Sequence, residues 1–356
     1  SQAGKQEAPD IGKMFNIENA IKGFKSLKGA SKAAVAQMAA GAIMAFAQAI
    51  VELAIDLGDA EAAFMKATGA NQDFARSVTN SYEQTRQFGV GIEDISRSYQ
   101  TLYTTFTDFT MVSQDQRESL AETAAVLDRL GISNESFAAS VQLSTKALGM
   151  SAAQAGQNML DLEKFAENLG VAPQQLADDF NNAGGALAKL GADGTQAFKD
   201  LAIAAKTTGL SIERIINLTE KFDTFEGAAE QAGKLNAALG GNFVNAMDLM
   251  MATDPAERFE MIRDSLLDTG LSFDEMSYFQ RNFFKYALGL SDVTELAALI
   301  SGEMDLVSGA TQESPQSLID AGKRARQMAS FQERLNMLFV QMIPIITPVV
   351  DLLSEL

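Results

Sequence analysis

The chain has 356 residues, 47% of them apolar, with 22 Phe and 16 Met supplying most of the bulk, so one large core or two to three smaller helical units can be buried. It contains no Cys, His or Trp, which removes disulfides, thiolate nucleophiles, histidine bases and the usual zinc ligands together. Its formal charge of −18 opposes phosphate binding, because nucleic-acid recognition normally begins from a basic patch, and an acidic surface repels passing DNA.

Six prolines and the lack of β-branched alternation predict an all-α fold: a multi-helix bundle of short capped helices with a C-terminal coiled-coil helix. Residues 1–32 carry Lys5, Lys13, Lys22, Lys25, Lys28 and Lys32 with little bulky apolar content, and are predicted to be a flexible basic lead-in. A hydrophobic helix is predicted over 33–61. Its uncharged part, Ala33 to Val51, is near the length that spans a bilayer, and lysines precede it while Glu52, Asp56, Asp59 and Glu61 follow. Gly41, Ala45 and Ala49 recur every four residues and would let helices approach closely; with Ile43, Phe46 and Ile50 they form the candidate membrane or partner helix. A stripe of Gln37, Gly41, Gln48, Glu52 and Asp56 equally fits a packed helix with one wetted edge.

Residues 62–313 are predicted to form the helical bundle. Phe64, Phe74, Val78 and Tyr82 precede a break at Gly89-Val90-Gly91, and Ile92, Ile95, Tyr99, Leu102, Tyr103 and Phe106 repeat at three and four beyond it. Ser113 with Gln116 is a capping box opening a helix whose stripe is Leu120, Ala124, Leu127 and Leu130. Joints of one kind then recur: Leu130-Gly131-Ile132-Ser133, Leu148-Gly149-Met150-Ser151, Leu169-Gly170-Val171-Ala172-Pro173, Gly209-Leu210-Ser211, Gly270-Leu271-Ser272 and Leu288-Gly289-Leu290-Ser291. In each, glycine closes one helix, the aliphatic residue can act as a staple, and in all but the proline joint the serine caps the next helix. The helices so predicted are Phe137 to Leu148, Ala152 to Leu169, Gln174 to Asn181, Gln196 to Thr208, Ser211 to Phe225 and Glu230 to Leu239. Asp254-Pro255 with Glu257 starts another, and Ser272 with Glu275 reads as the cleanest capping box. Tyr278, Phe279, Phe283, Phe284 and Tyr286 are predicted to be a local core.

Ser314-Pro315 is predicted to open the last helix, within 314–356. One heptad register holds Leu318, Ala325, Gln332 and Phe339 on one seam position and Ala321, Met328, Leu335 and Met342 on the other, an oligomerisation seam expected to join three copies of the chain. Pro344 and Pro348 bend or break the helix beyond the seam.

No catalytic, cofactor or metal residues are predicted. Asp178-Asp179 reads as solvated surface, and Gly240-Gly241 lacks the preceding strand and glycine spacing that cradling a phosphate requires. Glu135-Ser136 matches the catalytic pair of soluble lytic transglycosylases, but the Gly-Leu-Met-Gln element that should come after it is replaced by Leu148-Gly149-Met150-Ser151. The start at Ser1 and the stop at Leu356 inside an apolar stretch are expected of an excerpt from a longer chain.

The stretch Ala204-Ala205-Lys206-Thr207-Thr208-Gly209-Leu210-Ser211-Ile212-Glu213, the repeated glycine-aliphatic-serine joints and the alanine-rich segment ahead of them resemble tape measure proteins of long-tailed bacteriophages. The resemblance lies in organisation and composition over most of 33–356, and carries over no individual functional residue. It implies a multi-copy structural virion protein in the tail-tube lumen, setting tail length during assembly, engaging tail-tube and tip or baseplate-hub proteins, and leaving ahead of DNA into the host envelope. A ruler shaft calls for a nearly continuous helix; frequent glycine stops place this stretch at a hub-associated end. The rival reading is a helical pore-forming toxin or secretion-system translocator using Ala33 to Val51 as its membrane segment.

Overall fold

A computed structural model describes residues 55–268, 270, 272–300 and 316–329. Among them the regular elements are all helices. In chain order these are α1 (55–68), α2 (Gln72–Thr85), α3 (Ile92–Thr105), α4 (Gln114–Arg129), α5 (Asn134–Lys146), α6 (Ala152–Leu169), α7 (Pro173–Asn182) and α8 (Gly184–Ala188). They continue as α9 (Gly194–Thr208), α10 (Ile212–Thr219), α11 (Phe225–Leu239), α12 (Ala246–Met251), α13 (Pro255–Leu267), α14 (Tyr278–Leu288), α15 (Val293–Ile300) and α16 (Leu318–Met328). The predicted all-α class is the observed one. The chain divides into two compact units, one of residues 1–130 with 318–356 and one of 131–317, so a boundary falls inside the region read as one bundle, at its first glycine-aliphatic-serine joint.

In unit 1, α4 is the central helix, with α2, α3 and α16 packed around it. The predicted stripe Leu120, Ala124, Leu127 and Leu130 is buried, and so are Ala121, Ala125 and Val126, because the helix is covered on more than one side and its alanines admit close neighbours. Ser113 accepts from Gln116 N while its own N–H donates to Gln116 Oε1, the predicted capping box. The aromatic residues before Met111 form an edge-to-face cluster: Phe64 with Tyr99 and Tyr103, Phe74 with Tyr103 and Phe109, and Tyr99 with Phe109 at 5.9 Å. A break that the periodicity did not reveal falls at Gly69, after which Asn71 caps α2 by accepting from Phe74 N.

Polar groups lie between α2, α3 and α4. Tyr99 donates to the Ser77 carbonyl at 3.1 Å and shares a 3.0 Å hydrogen bond with Ser81, while Gln114 and Asn80 donate to Glu118. Burial pushes the Glu122 carboxyl up to about 7, with the Ser81 hydrogen bond opposing and the charge of Glu118 adding to the rise. Below its ordinary value of 4.5 both folded and unfolded chains hold this proton; between 4.5 and 7 only the folded chain does, so stability falls as pH rises through that window. Glu122→Gln is therefore expected to match the parent near pH 4 and to exceed it at pH 8 by about 1–2 kcal/mol, the full linkage being reduced for partial exposure. Urea unfolding of both proteins at the two pH values measures the difference.

Unit 2 begins with α5, α6 and α7 packed against one another. The joints at Gly149 and Gly209 behave as read, each glycine at positive φ and the following Ser151 or Ser211 accepting from the third residue on. Further along, α13 packs on α9, α10 and α15, and α11 packs on α12 and α14. Phe180 and Phe198 meet edge to face at 5.1 Å. Arg258 is buried at the start of α13: its Nε donates to the carbonyls of Leu249 and Ala252, and its Nη1 to the Thr219 carbonyl at 2.8 Å and to Asp223 at 2.6 Å. One guanidinium thus ties α10, α12 and α13 together. Lys189 closes the outer side, reaching Asp223 and Glu220 at 2.9 Å each. Burial raises the Asp223 carboxyl, but the hydrogen bonds from Arg258 and Lys189 outweigh it and hold the group below its ordinary range.

Several readings are corrected. Asp178-Asp179 is not solvated surface: Asp178 is half-buried, accepting from Ser136 at 2.5 Å and from Gln174 at 2.9 Å in a clasp between α5 and α7 that Asn181 extends to the Ser136 carbonyl. Burial raises the Asp179 carboxyl, and the neighbouring Asp178 charge adds to it. Ser272 makes no side-chain cap and only the short 3-10 turn Phe273–Glu275 comes after it; the capping box lies instead at Ser277 with Gln280. At the last joint Asp292, not Ser291, accepts from Thr294 N and Glu295 N. Helix α11 starts at Phe225, capped by Thr224, well before the predicted Glu230.

Candidate interaction surface

The predicted membrane or partner residues Gly41, Ile43, Ala45, Phe46, Ala49 and Ile50 lie outside the described residues, and no described helix is long and apolar enough to cross a membrane. Of the predicted seam, Gln332, Leu335, Phe339 and Met342 also lie outside. Gln316 and Ser317 are not helical, so α16 opens at Leu318 rather than at Ser314-Pro315, and Ala329 forms a bend. Ala321 and Ala325 are fully buried, Leu318 is half-buried and Met328 is exposed. The buried side of α16 is used within the chain: the helix packs on α4, and a Cβ added at Gly322 would come within 2.5 Å of the Phe88 ring. Ser136 is buried in its bond to Asp178 while Glu135 is exposed, so that pair does not converge on a cleft. No grouping of three potential metal-ligating side chains occurs among the described residues.

The surface that stands out is α14, where the predicted local core is mostly on the outside. Tyr278 is 75% exposed, Phe279 81%, Phe283 48% and Tyr286 71%, and only Phe284 is buried. The reason is geometric. An α-helix turns 100° per residue, so Phe284, Ala287 and Leu288 form one stripe and Phe279, Phe283 and Tyr286 another; a helix lying on a surface can bury only one.

Both ends of α14 are fixed. At its start Ser277 accepts from Gln280 N, while the Ser277 N–H donates to Gln280 Oε1. At its end Lys221 donates to the Leu288 carbonyl at 3.0 Å and Arg214 to the Gly289 carbonyl at 2.9 Å, two cations where the helix leaves its carbonyls unpaired. Arg214 is itself held by Glu295 at 2.9 Å. Burial pulls the Lys221 ammonium below its ordinary range, with the charges of Arg214 and Lys234 adding to the shift. Gly289 is required here by its φ of +66°; a Cβ would in addition push aside the flexible tip of Lys221.

Beside α14 runs α11, whose stripe Phe225, Ala229, Gly233 and Ala237 recurs every fourth residue and is exposed throughout, Phe225 at 68%. Between the two helices lies an open groove of about 670 Å³, with Ala229, Gly233 and Ala237 on one side and Phe283, Tyr286 and Ala287 on the other. A Cβ added at Gly233 meets nothing within 4 Å. Glu230 and Lys234 also line the groove and are paired with each other at 2.5 Å; the rest of it presents ring faces beside a furrow of small residues, a surface suited to protein association.

Comparison with known proteins adds no assignment: no protein-family model, curated protein or solved structure matches the chain.

Proposed function

We propose that the chain is a non-catalytic structural component of a long-tailed phage virion, a hub-proximal part of a tape measure protein. In this reading it sits in the tail-tube lumen near the tip, contacts its own copies and the tube and hub proteins, and leaves ahead of the DNA. The observation carrying the reading is the repeated glycine-aliphatic-serine joint together with the 204–213 stretch. Such joints keep helices short: the longest helix among α2–α16 is α6, 18 residues or about 27 Å at 1.5 Å per residue. These lengths suit compact bodies at a tape's end better than a shaft. The acidic composition suits a protein that shares a lumen with DNA and must release it.

Antibodies raised against the purified chain should detect it in purified virions of the phage that encodes it once these are dissociated, and should label tails only after the tube is opened, and the chain should leave liposomes sealed. Absence from purified virions would overturn the reading. Unaided leakage of liposome contents would transfer support to the pore-former or translocator.

A further inference from the structure

The paired faces of α11 and α14 fit a copy of themselves. An aromatic side chain carries roughly 150–250 Å², so Phe225, Tyr278, Phe279, Phe283 and Tyr286 at their observed exposures present on the order of 500–850 Å² of surface. That lies at or above the top of the roughly 300–600 Å² of the largest apolar patch on an ordinary monomer and is comparable with the roughly 800 Å² that one partner contributes to a stable interface.

Shape and charge both indicate the occupant. Helix α14 carries the protruding rings Phe279, Phe283 and Tyr286, spaced by four and three residues; α11 beside it carries the furrow Ala229, Gly233 and Ala237, spaced by four. Knobs and furrow lie side by side on one surface, so a two-fold rotation seats the knobs of each copy in the furrow of the other. The charges alternate likewise. Helix α14 holds Arg281 and Lys285 and no acid, whereas α11 has Glu226 in its first turn and carries Glu230, which pairs with Lys234 one turn further on at 2.5 Å, so that the net acid of α11 lies at its first turn. A two-fold brings the basic helix of one copy towards the acidic end of α11 in the other, as an isologous contact requires.

We infer that unit 2 pairs with unit 2 of a second copy through the groove between α11 and α14, forming a two-fold dimer. The unit 2 surface alone supports this pairing, which therefore stands or falls separately from the phage assignment.

Sedimentation velocity of the full chain, from low to several hundred micromolar, tests it. The parent should sediment as a dimer at the upper concentrations. Phe279→Glu and Tyr286→Glu should weaken pairing at least tenfold while leaving the melting curve unchanged, since both side chains are exposed. Gly233→Leu gives an independent variant: it fills the furrow where an added Cβ meets nothing within the chain, and it should abolish the dimer without unfolding α11. A parent that stays monomeric, a trimer, or a dimer that all three variants leave intact would each overturn the inference.

Discussion

Phe284→Ala should lower the stability of unit 2 by about 3–5 kcal/mol, whereas Phe279→Ala, earlier on the same helix, should change it by less than about 0.5 kcal/mol. Phe284 is 1% exposed and, with Ala287 and Leu288, is what holds α14 to the body. Removing its ring leaves a cavity that the capped ends of the helix keep from collapsing. Phe279 projects into solvent and its ring contact is to the equally exposed Tyr278. Hydrogen exchange read along 278–288 distinguishes the cases: protection should be lost in the first variant and kept in the second. Equal effects would mean that the two stripes of the helix have been assigned to the wrong sides.

Arg258→Met should cost about 2–4 kcal/mol, because buried carbonyls lose their donor while the pair with the 37% exposed Asp223 adds little, and Arg258→Lys should recover only a minor part of it. The guanidinium satisfies three carbonyls and a carboxylate through Nε and Nη1, in two directions fixed by its plane. An ammonium on a flexible stem cannot occupy both. Without Arg258 the carbonyls of Leu249, Ala252 and Thr219 lose this donor in a buried setting, and Asp223 keeps only Lys189. The midpoint of urea unfolding measures the loss, and exchange at 246–251 should rise first, because α12 is a short helix whose end is held by this side chain.

The fold was legible where local chemistry decides it. Ser113 with Gln116, Ser151, Ser211 and Asp254-Pro255 behave as caps because a side-chain oxygen within one turn of free N–H groups has no competing partner. Ser272 with Glu275 has the same spelling and fails, since only a 3-10 turn comes next and Ser277 offers the better start. Gly69 with Asn71 was legible but missed: a glycine stop and an asparagine cap stand in the stretch from Lys66 to Asp73, which carries no bulky apolar residue. Tertiary contacts were the less legible part. Nothing near Arg258 in the sequence says that carbonyls from α10 and α12 will converge on it, and Asp178 becomes half-buried only when α5 lies against α7. The exposed aromatic stripe of α14 left a sequence signal in its spacing, beyond its composition. Two apolar stripes on one eleven-residue helix cannot both face inward unless that helix is surrounded, and α14 is not.

Unit 1 is assembled from two stretches separated in the chain by the whole of unit 2. During synthesis, α4 emerges long before α16 exists to cover it, so the patch that receives Ala321 and Ala325 stays open while the ribosome makes residues 131–317. Unit 2 is contiguous and can close as soon as it is made, so the segment translated later finishes folding earlier. The last step is then a long-range closure, with α16 laying Gly322 against the Phe88 ring.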